Sequence, residues 1–384
     1  MASSRRLSWT TVLLVGCAVA FGALVGAYLW AIRQVVHAYY ATEYQPERLE
    51  AALPPFPPRV RLTDVPALRS PLERGAALAM QMLAAQQGRT LELTTIELAM
   101  GTTWGATGVP RQLSFVPGGD EDLGFRLGAP YLGFSRRYLV TDDASRYLAE
   151  LKAQLARGRA VRVLVDLPTL HGQPPLEEAS PRDLVLIGYD GDWLEYVDPV
   201  CAGAAPCEAG APGAPGMKVT SAVLLDAVDR QALHFKYPWT YQLLVLEPAA
   251  GEPPGLGSAL ERDAKALIGL KQGSGGPSTG AFAVSDVASV AARSGDDAFG
   301  AALEKTCALA ASVRAADAAA VRALFPGELA TEAGAKKLEL AASAYERARL
   351  AFGKKEAFAL TDALLAAAAA DQEAGAALLT RSAQ

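Results

Sequence analysis

Few side chains in this sequence are equipped for chemistry, and their spacing limits what each can do. Four cysteines and three histidines stand among 384 residues. Cys201 and Cys207 frame the small-residue loop CAGAAPC, a spacing that closes a compact disulfide ring in an oxidising compartment. The alternative is a metal site, which needs more ligands than this pair supplies, and His37, His171 and His234 are scattered elsewhere. Cys17 falls in an apolar run and Cys307 on an Ala-rich helix, where a buried thiol is inert. Glu73 and Asp183 are the carboxylates available for acid–base work. GGDED at 118–122 lacks the spacing of a calcium loop and reads as a solvated turn. The glycines of 101–108 expose backbone donors, yet no P-loop lysine follows them. Trp193, Tyr196 and Trp239 read as packing residues and not as a cofactor box. No cofactor and no metal are expected.

These residues must be positioned by a chain long enough for two or three domains. The net charge of −5 and the lack of a basic stripe argue against nucleic acid as a partner. From Leu7 to Ile32 there is no charged side chain, which meets the roughly 20 apolar residues a membrane span requires. Arg5 and Arg6 before it predict a cytoplasmic N-terminus, with the bulk of the chain outside a bacterial inner membrane, in the periplasm. Two alternatives are a cleaved secretory signal and a lipobox-like site at Cys17. The expected organisation is a tip and anchor at 1–33, a Pro-rich stalk at 34–60, a mixed domain at 61–250 and an Ala-rich helical domain at 251–384. Within the mixed domain we expect helices at 73–87, 93–100, 143–157 and 221–230, with DDAS at 142–145 as a cap. Strands are expected near 129–134, at 161–167 and 241–248, and as a hairpin turning on Asp190-Gly191. Helices first and hairpin strands after make this an α+β class.

Five motifs in sequence order carry a resemblance. VPALRS at 65–70, AALAM at 76–80, GRAVRVLVD at 158–166, DLVLIGYDGD at 183–192 and VDP at 197–199 follow one another. Together they resemble the papain-like cysteine peptidases that trim double-glycine leaders from bacteriocins. That resemblance implies a papain-like domain with an antiparallel sheet and an N-terminal helix. It also implies a cysteine at the helix start, a histidine on a strand, an orienting carboxylate and an upstream glutamine. The chemistry of such a site is a thiolate stabilised by the helix dipole and an imidazolium, with the carboxylate fixing the tautomer. The helical part shows a weaker resemblance to the N-terminal acyltransferase of butirosin assembly.

Laid on that pattern, the chain has lost its chemistry. Glu73 falls where the cysteine belongs, Arg182 where the histidine belongs, with Asp183 beside it, and Ser70 where the glutamine belongs. Only Asp198, the orienting residue, remains, and His171 comes about eleven residues too early for the strand position. Glu73 and Arg182 would restore the charge pattern of a thiolate–imidazolium pair without a nucleophile, and Arg182 would reach Asp198. The resemblance therefore implies a degenerate, non-catalytic domain that holds a peptide or protein partner. The rivals are an unusual peptidase or acyltransferase using Glu73 or Asp183, and a structural subunit of an envelope complex.

Overall fold

A computed structural model describes residues 9–49, 55–71, 74–102, 104–109, 112–114, 121–174, 181–201, 213–235, 237–271, 278–291, 297–354 and 356–383. Side chains are described for these residues except 9–20, 33, 36–37, 39–40, 43, 109, 112, 114, 121, 234–235, 297–298, 353 and 382–383. The stalk residues 50–54, Glu73 and Cys207 lie outside the described residues.

The N-terminal helix α1 (Trp9–Tyr44) does not stop at the end of its apolar run. It continues past Arg33 and ends where Tyr44 is buried against the rings of Tyr138, Tyr237 and Trp239, with centroids 5.2, 6.4 and 6.3 Å away. Among the described residues no helix is long and apolar enough to cross a membrane. The apolar run with described side chains, 21–32, is shorter than the roughly 20 residues of a span. This overturns the expected transmembrane anchor at 7–32 and, with it, the single-pass inner-membrane location.

The mixed part is α+β. In chain order its elements are β1 (Glu47–Arg48), β2 (Arg59–Arg61), α2 (Gly75–Gln86), α3 (Leu93–Met100), β3 (Thr107–Val109), β4 (Gln112–Ser114) and α4 (Glu121–Tyr131). There follow β5 (Phe134–Thr141), α5 (Ala144–Ala156), β6 (Val161–Asp166), α6 (Leu167–Leu170), β7 (Pro181–Asp190), β8 (Trp193–Val197), β9 (Met217–Thr220), α7 (Ser221–Phe235) and β10 (Tyr241–Pro248). The main sheet runs β1-β5-β10-β6-β7-β8-β9, with β2 added on β7. Every pairing in it is antiparallel except β1 with β5, so the sheet is mixed and not wholly antiparallel as expected. Its central strands are long apolar runs because helices cover them: β6 is buried along its whole length and β7 at eight of ten positions. The β7–β8 hairpin turns on Gly191-Asp192, one residue later than expected, because Asp190 still pairs with Trp193, and Gly191 takes a positive φ of 59°. Asp143 caps α5 by accepting from the backbone N–H of Ser145 and Arg146. The strand expected at 129–134 is instead the end of α4. Pro130 is tolerated in its last turn, Gly133 closes it at φ 76°, and β5 begins at Phe134.

The Ala-rich part is helical: α8 (Leu256–Ile268), β11 (Ser278–Thr279), α9 (Gly280–Ala291), α10 (Asp297–Leu324), α11 (Leu329–Gly353) and α12 (Ala357–Leu379). Small residues let these helices approach closely, and α12 packs on α8, α9 and α11. The Pro/Gly-rich 251–255 lies between a core of the mixed part and a core of the helical part, and a third cluster crosses it. Leu98 of α3 and Trp104 are buried in one cluster with Leu260, Leu267, Val321 and Leu378. β3 and β4 also join β11 in a three-stranded sheet. Trp104→Ala should therefore lower the unfolding free energy by about 3–5 kcal/mol, read from chemical denaturation followed by far-UV circular dichroism.

Candidate functional site

Strand β7 carries two adjacent charged residues, Arg182 and Asp183, which alternation sends to opposite faces of the sheet. Both are buried. Asp183 faces the start of α2, so closely that a Cβ on Gly75 would lie 3.3 Å from its Oδ2. The backbone N–H groups at a helix start favour a carboxylate there. On its other side Asp183 is held by Arg162 of β6, whose Nε donates to Oδ1 at 2.5 Å. The register explains the meeting: Leu164 is opposite Asp183, and Arg162 lies two residues along on the same face. Arg162 is 1% exposed and also pairs with Asp122 of α4. Its guanidinium sits over the Phe125 ring, 4.9 Å from the centroid. Asp122 accepts from the hydroxyls of Tyr138 at 2.6 Å and Tyr237 at 3.2 Å. Burial and the Asp122 charge push the Tyr138 phenol well above its ordinary range, so it stays a donor.

Asp122 belongs to the GGDED run read as a solvated turn. That expectation fails, because α4 turns Asp122 inward to a buried guanidinium. The sequence signal was Arg162 itself, the single charge within the buried strand VRVLV, which requires a carboxylate nearby.

On the opposite face lies a second group. Asp198, just beyond β8, is 5% exposed and accepts from the Val200 N–H at 2.9 Å. Burial raises its pKa, opposed by that hydrogen bond and by the fields of Arg182, His171 and Arg69. His171 reaches this place because β6 ends in a tight turn. Asp166 caps α6, accepting from the Thr169 N–H and hydroxyl, and His171 closes that helix. His171 is exposed, and its charge favours the ionised form of the buried Asp198. Ser70 lies beside Val200, donating its N–H to the Pro199 carbonyl and accepting from the Cys201 N–H, both at 2.9 Å. Cys201 is disulfide-bonded, while its expected partner Cys207 lies outside the described residues. The structure thus brings Ser70 beside Val200 and Asp198, while Arg182 and Asp183 point to opposite faces of β7.

A cavity of about 580 Å3 lies elsewhere, between α3, α4 and α8, lined by Gly101, Gly105, Leu127, Asp263 and Ile268. Behind it three carboxylates from three helices are buried: Glu97, Asp263 and Asp317. Each has an arginine, Glu97 with Arg74 at 3.3 Å, Asp263 with Arg262 at 2.7 Å and Asp317 with Arg314 at 3.2 Å. The first contact is misaligned, since neither Arg74 Nε nor Glu97 Oε1 has hydrogen-bond geometry. Among the described residues no three such side chains are placed to hold a metal ion. Burial raises Glu97 and Asp263 to about 7 against their arginines, and Asp317 rises as well, with Glu97 and Asp263 adding to the effect.

Because these folded-state values exceed the unfolded ones of 4.5 for Glu97 and 3.8 for Asp263, the folded chain holds the extra protons. Their contribution is complete below about pH 4 and is lost as pH rises through about 7. Glu97→Gln should therefore raise stability at pH 8 by about 2–3 kcal/mol and leave it nearly unchanged at pH 4, measured by urea unfolding at both values. A scan against protein-family models and a search of curated proteins give no match, so the papain-like resemblance rests on the motifs themselves.

Proposed function

We propose that this chain is a non-catalytic binding protein, whose α+β part is a papain-like framework that holds a peptide or protein partner without cleaving it. The observation that supports this most is the state of Asp183. It stands beside the start of α2, where a cysteine peptidase needs a group that gives and takes protons. Yet Asp183 is 2% exposed and bonded to Arg162, which is tied in turn to Asp122. A carboxylate held in that way is a structural counter-ion and a poor acid–base group. Arg182, at the expected imidazole position, offers N–H donors and no acceptor atom with which to take a proton from a nucleophile.

One observation favours an active hydrolase as a second reading. His171 lies in the field of Asp198, with Ser70 across the seam at Val200. An imidazole beside a carboxylate is half of a nucleophilic constellation. The two readings separate in one experiment, in which the full chain is incubated with a degenerate peptide library and followed by mass spectrometry and affinity capture. Retention of a subset of intact peptides is the expected result. Cleavage products that vanish in His171→Ala or Asp183→Asn would replace the binding reading with the enzymatic one.

A further inference from the structure

Small residues make the space of the cavity between α3, α4 and α8. Gly101 ends α3 at φ 67°, Gly105 and Ala106 follow it, and Ala266 and Gly269 come from the end of α8. Its walls are set by close approaches and not by loose packing. A Cβ on Gly105 would lie 3.1 Å from that of Ala266, and one on Gly269 would fall 2.0 Å from the Thr279 carbonyl oxygen. Leu127 of α4 and Ile268 of α8 complete the apolar surface. Leu270 and Lys265 also line the cavity and are exposed, so it opens to solvent beside them.

A preformed cavity of about 580 Å3 has the size of a small-molecule site. Among the described residues no aromatic ring lines it, so a flat ligand finds no stacking face, and methyl and methylene groups meet whatever enters. Most of its polar groups are spent. Arg262 donates to Asp263 and to the Leu98 carbonyl, both at 2.7 Å, and Asp263 is buried beneath that guanidinium. The Thr279 hydroxyl accepts from the Leu270 N–H at 2.8 Å. Lys265 differs. Its side chain is 64% exposed and bonds Glu261 at 2.7 Å, an open pair that contributes little and leaves two N–H donors. One unspent cation beside an aliphatic wall complements a hydrocarbon chain that ends in a singly charged anion.

We infer that this cavity binds a linear aliphatic carboxylate, with its chain against Leu127, Ala266 and Ile268 and its head at Lys265 on the exposed rim. The site is separate from the β7 and β8 residues and does not depend on the peptide-binding reading. Its walls come from both the mixed part and the helical part, so an occupied cavity also raises the thermal midpoint of the whole chain.

The test is calorimetric titration of the full chain with dodecanoate, dodecanol, dodecyltrimethylammonium, dodecyl phosphate and naphthoate, each below its micelle concentration. Dodecanoate should bind saturably and raise the thermal midpoint. Dodecanol should bind about three- to fivefold more weakly, and the ammonium more weakly still. Lys265→Met, which keeps the stem, should abolish the difference between dodecanoate and dodecanol. Leu127→Trp, which fills the cavity, should weaken dodecanoate by at least about tenfold. Leu270→Asp, at a rim position too exposed to affect folding, should weaken it in the same direction.

Dodecanoate affinity unchanged in both Leu127→Trp and Leu270→Asp would place the ligand on the exposed apolar side chains of α1 and overturn the inference. Tighter binding of the ammonium or of dodecyl phosphate would overturn the carboxylate head, and tighter binding of naphthoate the linear chain. Each of these results leaves the peptide-binding reading to its own library experiment.

Discussion

The guanidinium of Arg162 ties a pair of sheet strands to the helix that covers them. It joins β6 to β7 through Asp183 and brings α4 against the sheet through Asp122, under a lid formed by the Phe125 ring. Two tyrosines then close the remaining acceptor positions of Asp122. Such a bridge is no simple gain in stability, since well-packed apolar side chains often do as well, while losing one partner costs about 3–5 kcal/mol. Its contribution is to register. A slip of one residue between β6 and β7 would carry Arg162 to the other face and leave two buried carboxylates unmatched.

The helical part repeats the device with different consequences. Arg314 of α10 is 1% exposed and bonds Asp371 of α12 and Asp317 of its own helix, while Tyr345 of α11 donates to Asp371 at 2.8 Å. Alanine-rich helices offer little shape to specify one alignment, and a buried arginine with two carboxylates supplies what the methyl groups do not. Arg314 also donates to the Trp104 carbonyl, so this bridge reaches out of the bundle as that of Arg162 reaches from the sheet to α4. The three carboxylates whose pKa burial raises, Glu97, Asp263 and Asp317, lie along that junction.

Much of the scaffold was legible in the sequence because local rules and burial agreed. Asp190-Gly191 announced its hairpin to within one residue, VRVLVD its covered strand, AALAM its helix and DDAS its cap. The failures have physical causes. Residues 7–32 satisfied a length criterion on composition alone, whereas α1 runs on to seat Tyr44 among aromatic rings. A strand was expected near 129–134, yet the last turn of α4 accepts Pro130 and β5 begins only at Phe134. The candidate site suffered most. GGDED has a surface composition, and only the demand of Arg162 for a counter-ion identifies Asp122 as buried. His171 comes early by residue count, and the capped turn of four residues ends at it. Arg182 and Asp183 were assigned to one place, although neighbours on a strand face opposite ways.

Trp104 gives the molecule a further property. It belongs to the first half of the chain by sequence and to the second by burial, where it lies among Leu260, Val321 and Leu378. The three-stranded sheet of β3, β4 and β11 crosses the same seam. Recombination at the Pro/Gly-rich 251–255 would thus exchange a bundle while leaving behind the indole that completes it. Viable descendants must carry both halves together, or change Trp104 and its cluster in step. A junction that looks like a place to shuffle modules is, for heredity, a place where they are bound.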